Sequence, residues 1–121
     1  MVLKHKILIV DDNERLSKNM ADILEWKGYE VCVANDGFQA IKAVKDGKFR
    51  VVLVDFKMPG LNGVETLRIL KKIAPDMSAI MVTALGEGII YMEQITNIDF
   101  QIIEKPIDID KLFSMIEGIC R

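Results

Sequence analysis

Ile7-Leu8-Ile9-Val10-Asp11-Asp12 is an apolar run that stops on two carboxylates. Three later runs repeat the form. Val51 to Val54 ends on Asp55, Ala79 to Val82 on Thr83, and Ile102-Ile103 on Glu104, Lys105 and Pro106. If these runs are parallel strands, their ends lie along one rim. In an open α/β sheet the strand carboxyl ends border the crevice where ligands bind, so residues far apart in sequence are expected to converge there. Three carboxylates, a hydroxyl and a lysine suit a divalent cation and a phosphoryl group.

Between the runs the apolar period changes to that of a helix, the alternating pattern of a doubly wound parallel sheet. Leu16, Met20, Ile23 and Leu24 recur at helical spacing, and Gly28 stands where a left-handed cap would end the helix. Glu30 to Ala34 alternates as a flanking strand. Asp36 is placed to cap a second helix carrying Ala40, Ile41 and Val44, which Gly47 stops. Met58-Pro59-Gly60 is turn chemistry, after which Asn62 is placed to cap a helix with Val64, Leu67 and Leu70 on one face, halted by Pro75. Ser78 to Val82 reads as the fourth strand. Residues 86–95 read as a short fourth helix, opened by two glycines and apolar nearly all round. Gln101 to Glu104 is the fifth strand, and Asp108 caps a fifth helix with Leu112, Ile116 and Ile119 inward.

The bulk numbers bound the function. A chain of 121 residues, half of them apolar, fits one domain with one core over 1–121. Its net charge of −2 offers no basic stripe, so direct nucleic-acid binding by this chain is not expected. Cys32 and Cys120 lack the paired spacing of a zinc site and read as reduced thiols. Met1 to Lys6 has no apolar signal core, and no stretch approaches the roughly 18 apolar residues that span a bilayer. A cytoplasmic, soluble protein with no membrane partner is the expectation.

Taken in order, Ile7-Leu8-Ile9-Val10-Asp11-Asp12, Val54-Asp55-Phe56-Lys57-Met58-Pro59-Gly60, Val82-Thr83-Ala84 and Lys105-Pro106 resemble a response-regulator receiver domain over the whole chain. The resemblance implies an α/β (βα)5 flavodoxin-like fold, with a five-stranded parallel sheet in the order 2-1-3-4-5. It implies that Asp55 receives a phosphoryl group from a sensor histidine kinase or a histidine phosphotransfer protein. It makes Asp12 and Asp55 direct Mg²⁺ ligands, with the Lys57 backbone carbonyl as a third and Asp11 acting through water. Thr83 and Lys105 would contact the phosphoryl oxygens. Such a domain is a signalling module rather than a conventional enzyme, catalysing only its own phosphotransfer and slow self-dephosphorylation.

The residue types fit those roles. A carboxylate is a weak nucleophile, yet aspartyl phosphates form where a metal and a cation neutralise the incoming group. Asp55 alone would read as a turn-capping aspartate before Pro59, but it does not stand alone. Unit charges about 4 Å apart repel by roughly 4 kcal/mol at an effective dielectric of 20, so something cationic must sit among Asp11, Asp12 and Asp55. Mg²⁺ takes oxygen ligands and is held by one or two carboxylates plus phosphate. The alternative for Asp12 is a cap on the first helix, which leaves Asp11 without a purpose. Lys105 supplies a point charge for Asp55 or for the phosphoryl group, against the usual reading of a surface lysine. X-Pro can adopt a cis bond, as this family does, and so aim the side chain before it. Thr83 could equally be a β-branched strand residue bonding locally.

Phosphorylation adds close to two negative charges and new acceptor oxygens. In this family the response repacks the face made by the fourth helix, fifth strand and fifth helix, which a downstream protein or output domain reads. Shifting a two-state equilibrium from 1:99 to 99:1 takes about 5.5 kcal/mol, within reach of a few charge-assisted bonds. The chain departs from the family pattern at Ile102, where Tyr or Phe is common, and at Ile98-Asp99, where Gly-Ala is common. Ile89, Ile90, Tyr91, Met92 and Ile102 are expected to form an apolar partner surface, or else to be core. Lys57 and Leu85, each two places after a site residue, flank the phosphoryl position in receivers. Leu85 cannot orient water, which predicts slow self-dephosphorylation. His5 is expected to be solvated, and Trp26 and Phe100 to pack, with Trp26 partly exposed at the end of the first helix.

Two other aspartate or phosphate chemistries share this kind of fold. A haloacid-dehalogenase-type phosphatase places its nucleophile in Asp-x-Asp after the first strand, where this chain has Asp11-Asp12-Asn13. A flavodoxin wants a Ser/Thr/Gly-rich phosphate loop there, where carboxylates would repel phosphate.

Overall fold

A computed structural model describes residues 4–84 and 98–121. The strands are β1 (Lys6–Val10), β2 (Glu30–Ala34), β3 (Val51–Asp55), β4 (Ser78–Thr83) and β5 (Gln101–Glu104). All pair in parallel, in the order β2-β1-β3-β4-β5. The described helices are α1 (Glu14–Trp26), α2 (Gly37–Asp46), α3 (Gly63–Ile73) and α4 (Ile109–Cys120). Here α4 is the fifth helix of the sequence reading. The helix expected over 86–95, with Leu85, Ile89, Ile90, Tyr91 and Met92, lies outside the described residues.

Strand alternation divides the core into two layers. Leu8, Val10, Val52, Val54, Ala79 and Met81 face Ala40, Val44, Leu67 and Leu70 of α2 and α3. Ile7, Ile9, Val51, Leu53, Ile80, Val82 and Ile103 face Ala21 and Leu24 of α1 and Leu112 and Ile116 of α4. The central strands are apolar at successive positions because each face is covered by helices. β2, at the edge, is mostly exposed.

Local chemistry sets the helix starts. Asp36, Asn62 and Asp108 cap α2, α3 and α4, and Asn62 with Glu65 forms a reciprocal capping box. Gly28, at φ +111°, carries the chain out of α1 in a conformation that favours glycine. Trp26 is exposed at the end of α1, further than the partial exposure expected there. It is 83% exposed, because it falls at the solvent end of α1 rather than on the stripe of Ala21 and Leu24. Phe100 is half-buried against the α2–α3 layer, and His5 is exposed. Both cysteines are free, and among the described residues no helix is long and apolar enough to cross a membrane.

Candidate phosphoacceptor and metal site

Three backbone bonds extend the strand ladders to the rim. Asp11 N donates to Ala34 O at 3.0 Å, Phe56 N to Val82 O at 2.9 Å and Lys105 N to Thr83 O at 2.8 Å. The amide of Asn35 further ties Asp11, donating to its backbone oxygen at 3.1 Å. By alternation Asp11 follows Ile9, Asp55 follows Leu53 and Lys105 follows Ile103, so all three continue the row that faces α1 and α4. Thr83 follows Met81, on the row that faces α2 and α3.

The carboxylates of Asp11, Asp12 and Asp55 each offer an oxygen within 4.8 Å of the others. Asp55 is buried, Asp11 half-buried and Asp12 exposed, so the group opens to solvent on one side. Lys105 Nζ lies 3.1 Å from Asp55 Oδ1, and the Lys105–Pro106 peptide is cis. The loop after β3 is anchored by buried Met58, turns at Gly60 (φ +78°), and closes where Gly63 N donates to Phe56 O at 2.9 Å. Lys57 is exposed on this loop.

Burial pushes the Asp55 carboxyl above its usual range, with Asp11 and Asp12 adding to the rise while the Lys105 ammonium opposes it. Asp11 is also raised by burial, opposed by the Asn13 amide and by Lys105. The Thr83 hydroxyl is fully buried and has no hydrogen-bond partner among the described residues. Among the described residues it makes none of the local bonds of a plain strand threonine. An apolar cleft of about 350 Å³ adjoins the acidic group, with Leu16, Met20 and Ile23 on one wall and Pro106 and Ile107 on the other.

The structure thus brings together Asp11, Asp12, Asp55 and Lys105, and buries Thr83 at the end of the neighbouring strand. Two details differ from the sequence reading. The cap of α1 is Asn13, whose side chain accepts from Leu16 N, and not Asp12. Asp11 also has a conformational use, since its Oδ1 accepts from Asn13 N at 2.9 Å in an Asx turn. Ile102 is half-buried against the α2–α3 layer. Sequence reading missed the closeness of Gly63 to Asp55, for which a glycine opening α3 beside the site was the available signal.

The all-oxygen donor set fits a hard divalent cation. Residues 7–117 match the response regulator receiver domain family. The sporulation initiation phosphotransferase F of Bacillus subtilis is 32% identical, over 92% of this chain and 90% of its own. The uncharacterised transcriptional regulatory protein YkoG of the same organism is 31% identical over 98% of this chain, but only 52% of its own length is covered. The chain likewise spans half or less of two other transcriptional regulators it matches. A solved CheY-like receiver domain protein from Methanospirillum hungatei superposes with a TM-score of 0.84 at 31% identity, over 96% of this chain and 93% of its own. With its sheet order, its acidic rim and these likenesses in accord, the chain belongs to the response regulator receiver domain family of two-component signalling.

Proposed function

We propose that this chain, over 1–121, is a phosphoacceptor whose Asp55 is esterified in a Mg²⁺-dependent reaction. The observation that carries the reading is the convergence of Asp11, Asp12 and Asp55 within 4.8 Å beside the Lys105 ammonium at 3.1 Å. Asp11, Asp12, Asp55 and the Lys57 carbonyl are the groups that would hold Mg²⁺, which when bound neutralises charge on the transferring phosphoryl group. An Asp55 carboxylate oxygen attacks phosphorus while the bond from phosphorus to the donor histidine nitrogen breaks; the donor ring, protonated on its other nitrogen, takes the bonding pair and leaves as neutral imidazole, and an aspartyl phosphate remains. Lys105 then exchanges its bond with the carboxylate for one with a phosphoryl oxygen. The Thr83 hydroxyl, without a partner among the described residues, supplies a further donor.

The donor is a sensor histidine kinase or a histidine phosphotransfer protein. Movement of Thr83 and Lys105 toward the phosphoryl group alters the face that includes β5 and α4, and a downstream protein or output domain reads it. The net charge of −2 supports no direct nucleic-acid binding by this chain. A cytoplasmic location suits a partner of that kind, and self-dephosphorylation is slow. Incubation with acetyl phosphate and Mg²⁺, followed by intact mass, tests the proposal. A single phosphoryl addition that is lost in Asp55→Asn is the expected result. Steady release of phosphate without a stable adduct would instead indicate a phosphatase.

A further inference from the structure

Gly63 opens α3 where there is no space for a side chain. A Cβ on it would lie 2.5 Å from the backbone oxygen of Asp55, 2.9 Å from Phe56 Cα and 3.1 Å from Met81 Sδ. Two of these are backbone atoms of β3 and the loop that follows, so they cannot rotate aside as a side-chain tip does. The third belongs to the strand that ends in Thr83 two residues later. Gly63 is therefore wedged between the ends of the two strands that bear Asp55 and Thr83.

Gly37 opens α2 under a similar limit. A Cβ there would lie 2.5 Å from Thr66 Oγ1 and 2.9 Å from Leu61 Cβ. Thr66 is fully buried on α3, and its hydroxyl has no hydrogen-bond partner among the described residues. Leu61 belongs to the same loop that Gly63 closes. The start of α2 thus rests on Leu61 of the loop and on Thr66 of α3, while the start of α3 rests on the other end of the loop at Phe56.

We propose that Gly63 and Gly37 are positioning residues for Asp55, setting the height of the 56–62 loop and hence the place of the nucleophile and of the Lys57 carbonyl. This rests on the reading of Asp55 as the phosphoacceptor. Added bulk at Gly63 presses on the end of β3 and the start of the loop, and added bulk at Gly37 presses on the loop at Leu61; in a close-packed interior neither can be absorbed without a shift. A shift on the order of 1 Å at a reacting group can cost about a hundredfold in rate. The chemistry should therefore suffer more than stability alone would dictate.

The test compares Gly63→Ala and Gly37→Ala with Ile116→Ala, a cavity variant in the other core layer. Mg²⁺ affinity is followed by amide NMR shifts, the maximal rate and KM for acetyl phosphate by intact mass, and stability by urea midpoint. Gly63→Ala should lower the maximal rate by about a hundredfold and weaken Mg²⁺ about tenfold, with a smaller loss in Gly37→Ala. Ile116→Ala should lower the urea midpoint at least as far and leave rate and Mg²⁺ affinity within about twofold, since distant sites act independently. Should Gly63→Ala fail to fold, Gly37→Ala carries the test, with Thr66→Ala on that background restoring part of the rate. Folded glycine variants with parental affinity and rate overturn the inference, as does Ile116→Ala matching their chemical loss. A parent chain that neither binds Mg²⁺ nor accepts phosphate overturns the reading of Asp55 itself.

Discussion

Lys105 Nζ stands 3.1 Å from Asp55 Oδ1, in direct contact with the carboxylate group. The pair is asymmetric, since the lysine side chain is 39% exposed and the aspartate 9%. The ammonium can therefore leave for water or for another anion at small cost, whereas the carboxylate remains dry. That asymmetry suits the proposed role of Asp55 as a phosphoacceptor, neutralised at rest and released for reaction.

Lys105→Met keeps the length of the side chain and removes its charge. Three carboxylates are then left together, and stability at neutral pH without divalent cations should fall by about 1–2 kcal/mol, discounted for the exposure of the lysine. Added Mg²⁺ should restore much of the loss while phosphorylation stays slow. Urea titrations with and without Mg²⁺ measure the first effect and intact mass the second.

The raised carboxyls of Asp55 and Asp11 give stability a definite slope with pH. An acid whose pKa is higher folded than unfolded favours the folded state most below its unfolded value, near 3.8. That contribution is lost as pH rises through the folded pKa. Asp55→Asn should thus be more stable than the parent at neutral pH without Mg²⁺, by on the order of 1 kcal/mol, with the advantage shrinking toward acid pH. Equal urea midpoints across the pH range would contradict it.

Mg²⁺ should stabilise the parent by linkage. At about 100 times its dissociation constant the gain is about 2.7 kcal/mol. A chelator should reverse the gain, and Asp12→Asn, which changes an exposed member of the group, should reduce it. Thermal melts in Mg²⁺ and in chelator provide the measurement.

Thr83→Val removes a buried hydroxyl that has no partner among the described residues. Its stability at rest should be unchanged or higher by about 1 kcal/mol, because no hydrogen bond is lost. The amide shifts that follow phosphorylation should shrink at β4 and β5. A stability loss well above this would mean that the hydroxyl has a structural partner.

Much of the architecture was legible because strand and helix periods are separated by capping residues. Asp36, Asn62 and Asp108 each start a helix as their positions predicted, and β2 spans Glu30–Ala34 as its alternation indicated. The start of α1 was harder, since Asp11, Asp12 and Asn13 are three consecutive groups able to cap. Where β1 ends decides among them, and the ladder bond from Asp11 N to Ala34 O leaves Asn13 as the cap. The convergence of Asp11, Asp12, Asp55 and Lys105 followed from strand ends alone. The lack of a partner for Thr83 among the described residues and the tight seat of Gly63 did not, because both depend on contacts across layers. Trp26, expected to pack with partial exposure at the end of the first helix, is more exposed than that, because its angular place on α1 lies off the buried stripe. Ile102, read as surface or core, lies between the two, half-buried against the α2–α3 layer.

The ladder bonds that run past the strand ends have a consequence for hydrogen exchange. Asp11, Phe56 and Lys105 lie on loops by sequence, yet their amide protons are held by strand carbonyls. They should exchange with deuterium on the slow timescale of the sheet rather than the fast one of its connections, opening chiefly when the domain does. The reactive edge would then inherit the rigidity of the interior, and its orientation would survive fluctuations that disturb other turns.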